Sequence, residues 1–228
     1  MKKFIALISF IIFNSCSINP VTGEQDFVLM SENQEIALGK KHHAQVLQQT
    51  PAYKDKDLQD YVQSIGDSLS LNSHRPNLFY RFTVLDSPDI NAFALPGGYI
   101  YINRGLMAYL SSEEELAAVL GHEIGHVTAR HSVRQYSQSQ LMGILSAAVQ
   151  MNSGRTAGDI VNVASGALLA GYGREMELEA DNLGAQYLYK DGYSTSSMMK
   201  VLSVLKDQEI YSKELAKKRG EEPKNYHG

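Results

Sequence analysis

Ser111-Ser112-Glu113-Glu114-Glu115-Leu116-Ala117-Ala118-Val119-Leu120-Gly121-His122-Glu123-Ile124-Gly125-His126 is the stretch from which the rest of the chain can be read. Ser111 with Glu114, or Ser112 with Glu115, can close a capping box, in which the serine oxygen and the glutamate satisfy free backbone N–H groups reciprocally. Three consecutive acids follow the serines and suit the positive end of a helix dipole. A helix therefore starts here. Leu116, Val119, Leu120, Ile124 and Val127 make it apolar over much of its surface, which predicts burial. His122 and His126 are four residues apart. On a helix this is slightly more than one turn, so both imidazoles project from one face, about 6 Å apart.

Two buried imidazoles and a carboxylate are costly without a partner, and a metal ion is one. Ring nitrogens at this spacing can converge on one zinc ion at about 2.0–2.1 Å. Glu123, rotated by about 100° from His122, can reach water beside the ion without ligating it. This is the H-E-x-x-H arrangement of two ligands and a general base. A third ligand must come from elsewhere. Gly173-Arg174-Glu175-Met176-Glu177-Leu178-Glu179-Ala180-Asp181 supplies candidates. Glu177 and Asp181 share one face of an expected helix, so Glu177 could ligate while Asp181 holds a ligand histidine through its free ring N–H. Glu175 and Glu179 are expected to face solvent. Spacing alone does not choose among the four carboxylates. Arg174 could pair with one of them. His131, nine residues after His122, is expected on the far side of the helix. His42, His43 and His74 have no supporting spacing, and all four histidines read as surface or structural.

Outward from these segments, Ser31 with Gln34 opens a helix to about Gln49, and Pro51 breaks it. A second amphipathic helix is expected from Asp55 to Leu71, with Leu58, Val62, Ile65 and Leu69 on one stripe. Phe79 to Leu85, Asn91 to Leu95 and Tyr99 to Asn103 read as strands, the last two joined across Pro96-Gly97-Gly98. From Ser112 onward the chain reads as helical, with breaks near Gly154, Gly173, Gly192 and Gly220. The order predicts an α+β domain dominated by helix. An open sheet edge at Asn91, Ala92, Phe93 and Ala94 could take an extended peptide through main-chain hydrogen bonds. Residues 141–172, rich in Ala, Gly, Leu and Val, read as a helical hairpin that either fills the core or covers a cleft.

The 228 residues are 43% hydrophobic and 20% charged, which suits one globular domain and excludes a disordered chain. A net charge of −4 offers no excess to neutralise phosphates, so no nucleic acid is expected as a partner. One cysteine, Cys16, excludes an internal disulfide framework and a multi-cysteine zinc site. Lys2 and Lys3 precede Phe4 to Phe13, in which Ser9 alone is polar. Ten such residues span about 15 Å as a helix, half a bilayer core, so residues 1–15 read as a signal peptide. Asn14-Ser15-Cys16-Ser17 resembles a bacterial lipoprotein cleavage site. That resemblance implies lipidation of Cys16 and, with Ser17 next, anchoring at the outer membrane, facing the periplasm. The following residues to 30 lack periodicity, contain Pro20 and Gly23, and read with Cys16 as a tether or extended arm over 16–30.

The motifs together resemble the CAAX prenyl protease/HtpX-type zinc metallopeptidases, metallopeptidase family forty-eight, and most nearly its periplasmic lipoprotein members. The matching pieces are Gly121 to Val127, Arg174 to Asp181, Asn91 to Gly98 with Tyr99-Ile100-Tyr101, and Asn19-Pro20-Val21-Thr22-Gly23. The resemblance implies a zincin-like (gluzincin) domain over 31–228, one zinc ion per chain, Glu177 as third ligand and Asp181 behind a histidine. It implies endopeptidase action on periplasmic or outer-membrane proteins, with Glu123 as the base. It equally accommodates a chaperone or scaffold that works with the outer-membrane assembly machinery. Members usually carry a further His in a Thr-His-Pro-like segment. Tyr226-His227-Gly228 lacks it, so a C-terminal truncation is expected and the oxyanion stabiliser is unassigned.

Overall fold

A computed structural model describes residues 16–150 and 172–219. The expected signal peptide, most of the 141–172 hairpin and the chain after 219 lie outside the described residues. A hairpin of β1 (Cys16–Ile18) and β2 (Gln25–Phe27) comes first, then α1 (Glu32–Gln49) and α2 (Lys56–Leu71). Strands β3 (Arg81–Leu85), β4 (Ala92–Leu95) and β5 (Tyr99–Asn103) follow, with a single turn α3 (Arg104–Met107). Four helices follow among the described residues: α4 (Glu113–Thr128), α5 (His131–Gln150), α6 (Arg174–Lys190) and α7 (Ser196–Arg219). The α+β expectation holds. Ser31 and Gln34 close both halves of the expected capping box on α1. On α4 it is Ser112 that caps, accepting from the Glu115 N–H, while the Glu115 carboxylate accepts from the Ser111 N–H.

The three-stranded sheet has the order β3-β5-β4, with β3 parallel and β4 antiparallel to β5. Alternation along the strands sends Phe82, Val84, Ala94, Ile100 and Ile102 into the main core with Val62, Ile65 and Leu69 of α2 and Leu116, Leu120 and Ile124 of α4. The opposite face puts Leu85, Leu95 and Tyr101 against Val46 and Leu47 of α1. The β4–β5 turn needs its glycines. Gly97 and Gly98 have φ of 76° and 91°, and a Cβ on Gly98 would lie 2.3 Å from the Phe79 carbonyl oxygen.

The two edges of this sheet are unlike. Along β3, Tyr53 N–H donates to the Val84 carbonyl and Asp86 N–H to that of Pro51. Gln59 and Gln63, one turn apart on α2, bond the backbone of β3 at Val84 and Phe82, and that of Tyr80 just before it, with their side-chain amides. These amides imitate a neighbouring strand and seal that edge. On β4 the Asn103 N–H bonds the Asn91 carbonyl. By antiparallel alternation the Phe93 and Leu95 main chains also face β5, which turns the N–H and C=O groups of Ala92 and Ala94 outward.

Residues 16–30, the expected tether or extended arm, contain the β1–β2 hairpin. Asn19, buried at the turn, accepts from the Val21 and Thr22 N–H groups and donates to Asp26. Such an Asx turn folds two three-residue strands that have no hydrophobic period to announce them. The hairpin region docks on the α4–α5 junction. Arg130 donates to the Ser17 hydroxyl and the Met30 carbonyl, and Leu29 N–H donates to the Ser137 hydroxyl. Among the described residues no helix is long and apolar enough to cross a membrane.

Candidate metal centre

The site begins with the approach of α6 to α4. On α4, Gly121 and Gly125 face Gly184 and Ala180 of α6. A Cβ on Gly125 would sit 2.8 Å from the Ala180 carbonyl oxygen, and one on Gly184 would sit 2.8 Å from the His122 nitrogen. Without side chains at these points the two backbones pack closely. Glu177, one turn before Ala180–Asp181, then reaches the histidine pair.

His122 Nε2 and His126 Nε2 lie 2.9 Å apart. Glu177 Oε2 is 3.4 Å from the first and Oε1 is 3.8 Å from the second. One ligand atom from each of the three residues lies within 4.8 Å of the other two. His122 Nδ1 is 2.8 Å from Asp181 Oδ1, so Nδ1 carries the proton and donates it to that carboxylate. In the neutral ring, Nε2 then offers a lone pair. Two such nitrogens pointed at one another repel unless a positive charge lies between them. This donor set, two imidazole nitrogens and a carboxylate around a common point, fits a divalent cation.

The electrostatics agree. Burial opposes charge on His122, but hydrogen bonds to Asp181 and Glu177 and the negative Glu123 and Glu177 outweigh it and push its pKa up to about 10. Without a cation, a proton on His122 supplies the positive charge that the carboxylates call for. Burial and the neighbouring His122 and His131 hold the His126 pKa well below its usual value. Glu123 is buried, and its carboxylate makes no hydrogen bond to the described residues. Burial pushes its pKa up to about 7, with His122 opposing and Glu177 adding to the rise.

Several neighbours depart from the sequence expectations. His131 does not emerge on the far side of a continuing helix. The helix α4 ends at Thr128, and Arg130 sits in the left-handed region at φ 55°. The chain turns there, and His131 enters the site fully buried, its Nδ1 2.8 Å from His126 Nδ1. No glycine or proline marks this break, so the sequence carries no local signal of it. Glu179 does not simply face solvent. It accepts from His131 Nε2 at 3.1 Å and from the Arg134 guanidinium at 2.9 Å. Tyr172 stacks on the His126 ring, centroids 4.1 Å apart, and its hydroxyl meets Ser132 at 2.6 Å. Glu175 and Arg174 are exposed, and His42 is half-buried. His43 bonds the Tyr101 hydroxyl and His74 that of Tyr187, both structural contacts. Asn91, Ala92 and Phe93 are half-buried and Ala94 is buried, in or beside the strand that packs next to α4. Cys16 heads β1, remote in sequence from the site.

A second buried cluster also escaped the sequence reading. Glu35 of α1 is 1% exposed and accepts from Arg75 at 2.7 Å and Arg130 at 2.9 Å. Arg75 also donates to the Val127 carbonyl at the end of α4, and the Gly97 N–H approaches Glu35. One carboxylate thus joins α1, the β4–β5 turn and the residue that turns the chain into His131.

Comparison with known proteins places these motifs in a wider context. Residues 56–226 match the sequence profile described as Peptidase family M48. The chain is 30% identical over 204 residues to the "Beta-barrel assembly-enhancing protease" of Yersinia pestis, covering 84% of this chain and 42% of that protein. It is 30% identical over 195 residues to the protein of the same name from Escherichia coli (strain K12), covering 80% and 40%. It is 34% identical over 122 residues to "Mitochondrial metalloendopeptidase OMA1" of Arabidopsis thaliana, covering 53% and 24%. The chain spans about two fifths of the length of the first two relatives.

Proposed function

The chain belongs to peptidase family M48, and we propose that it is a zinc-dependent endopeptidase whose ion is held by His122, His126 and Glu177. The observation that carries this reading is the convergence of the His122 and His126 Nε2 atoms and the Glu177 carboxylate on one point. When bound, zinc supplies Lewis acidity that polarises a scissile carbonyl and makes water acidic near neutral pH. Everything else is done by the chain's own groups. Glu123 follows the first ligand, its carboxylate is free of hydrogen bonds among the described residues, and burial pushes its pKa up to about 7. It takes the proton of the attacking water and returns it to the leaving nitrogen. Asp181 keeps the His122 ring in the tautomer and orientation that present Nε2.

The polypeptide enters as an added strand. The outward N–H and C=O groups of Ala92 and Ala94 offer it hydrogen bonds beside α4, flanked by Asn91 and Phe93. Sealing of β3 by Gln59 and Gln63 favours addition at β4 over the opposite edge. The substrates are periplasmic or outer-membrane proteins, a reading supported by the words "beta-barrel assembly-enhancing protease" in the names of two relatives. Lipidation at Cys16 after removal of residues 1–15 holds the enzyme at the outer membrane, facing the periplasm. A second reading, retention of unfolded outer-membrane chains without cutting them, draws on "assembly-enhancing" in the same names.

Metal analysis and casein cleavage of the purified chain test the proposal. Glu123→Gln should retain about one zinc ion per chain and lose cleavage by about 100-fold or more. Equal cleavage by that variant would remove the mechanism. A Glu123→Gln form that binds unfolded outer-membrane protein as tightly as the parent, with no cleavage by either, would favour the second reading.

A further inference from the structure

We propose that His131 is a positioning residue for His126: it fixes the ring of that ligand through a ring-to-ring hydrogen bond and passes the anchorage on to Glu179. The inference rests on the reading of His126 as a cation ligand and extends it. His126 Nε2 faces His122 Nε2 at 2.9 Å, so it is the ligating atom. A neutral imidazole that ligates through Nε2 carries its proton on Nδ1. That N–H has His131 Nδ1 at 2.8 Å as its acceptor. An accepting Nδ1 requires the His131 proton on Nε2, and Nε2 lies 3.1 Å from Glu179 Oε2. One assignment of protons therefore satisfies the whole line: His126 Nδ1–H donates to His131, and His131 Nε2–H donates to Glu179. Arg134, 2.9 Å from the same carboxylate oxygen, fixes the far end.

The two ligand histidines are thus held by different means. His122 is backed directly by a carboxylate, Asp181. His126 is backed by a carboxylate one imidazole further away. The reason is geometric. His126 lies in the last turn of α4 and is 3% exposed, stacked under Tyr172, so its back faces the chain reversal at Arg130. The left-handed residue Arg130 delivers the next side chain, His131, into that space. The Arg130 guanidinium is itself held by Glu35, Ser17 and the Met30 carbonyl. The line from His126 outward therefore ends on groups that the docked N-terminal arm helps to hold, including Asp26, 3.8 Å from Arg134.

The experiment measures Zn2+ affinity of the full chain by competition with a chromophoric chelator, alongside the visible spectrum of the Co2+ form and the melting temperature of the metal-free chain. His131→Phe fills the space but removes the acceptor. It should weaken Zn2+ binding by about 10- to 100-fold and alter the Co2+ bands, with metal-free melting close to that of the parent. His131→Asn places a carbonyl oxygen near the former Nδ1 and should restore affinity to within about threefold of the parent, the direction expected of a regained hydrogen bond. A role in packing alone predicts the reverse order, since Asn leaves a void and Phe does not. Zn2+ bound as tightly by His131→Phe as by the parent, or as weakly by His131→Asn as by His131→Phe, overturns the proposal. If His131→Phe does not fold, Glu179→Ala at the accessible end of the line must weaken Zn2+ binding, and unchanged affinity there overturns it. A parent chain that takes up no Zn2+ would overturn both this inference and the metal reading. Normal uptake by the parent with no response to His131 would overturn this one alone.

Discussion

His122 and Glu123 are neighbours in sequence with opposite titration behaviour, and environment is the cause. The imidazole has carboxylates around it, so its charged form is favoured, while the Glu123 carboxyl is buried beside Glu177 and its charged form is disfavoured. The sign for metal uptake follows. With a pKa near 10, His122 is protonated in the metal-free chain at pH 7–8 and must release that proton to ligate. Calorimetry of Zn2+ binding in buffers of different ionisation enthalpy should therefore report release of about one proton at pH 7.5. Release of none would mean that His122 is already neutral. The same shift acts on folding. A histidine whose pKa rises from 6.5 to about 10 on folding adds stability that is complete below about pH 6.5 and is lost as pH climbs through 10. Thermal melts of the metal-free chain should fall over that window, and added Zn2+ should offset the fall.

At the scale of the element, the geometry of the candidate metal centre depends on how closely α6 lies against α4. Gly125→Ala puts a methyl group 2.8 Å from the Ala180 carbonyl oxygen, a backbone atom that cannot swing away. We expect a loss of about 1–3 kcal/mol in stability, typical of overpacking. Zn2+ affinity should fall with it, because Glu177 rides on the helix being displaced. Gly173→Ala is the control: a Cβ there meets nothing within 4 Å among the described residues, and both quantities should stay near parent values. Denaturant titration and chelator competition read the two effects. The elements themselves were largely legible. Capping residues, the stripe on α2 and the alternating strands are local features, and the structure reproduces them with small changes of boundary. The α4–α5 break was not legible. It depends on a non-glycine residue held at positive φ by Glu35, Ser17 and Met30, contacts made 95, 113 and 100 residues away. The docked hairpin escaped for a related reason: its strands are too short for periodicity and its partners are distant.

Across the whole molecule, Glu35 is the point at which the N-terminal half meets the site. Its carboxylate pairs with two buried guanidiniums, and removal leaves Arg130 without a carboxylate partner and Arg75 with only the exposed Glu32, 3.6 Å away. Loss of one member of a buried ion group costs about 3–5 kcal/mol. For a chain of this size that corresponds to a fall of about 10 °C in melting temperature. Glu35→Ala should show such a fall by calorimetry, and a shift under 3 °C, about 1 kcal/mol at this size, would mean that the cluster is already well solvated. Sequence alone determined the α+β class, the helix carrying His122, Glu123 and His126, and the candidacy of Glu177 and Asp181, because these rest on spacings within one or two turns of backbone. It could not select among four carboxylates without a family resemblance, and it misjudged His131 and Glu179. Those choices were made by tertiary structure. Which side chain completes a buried site depends on where helices cross and where the chain reverses, and both are set by close backbone contacts and buried charges between residues far apart along the chain.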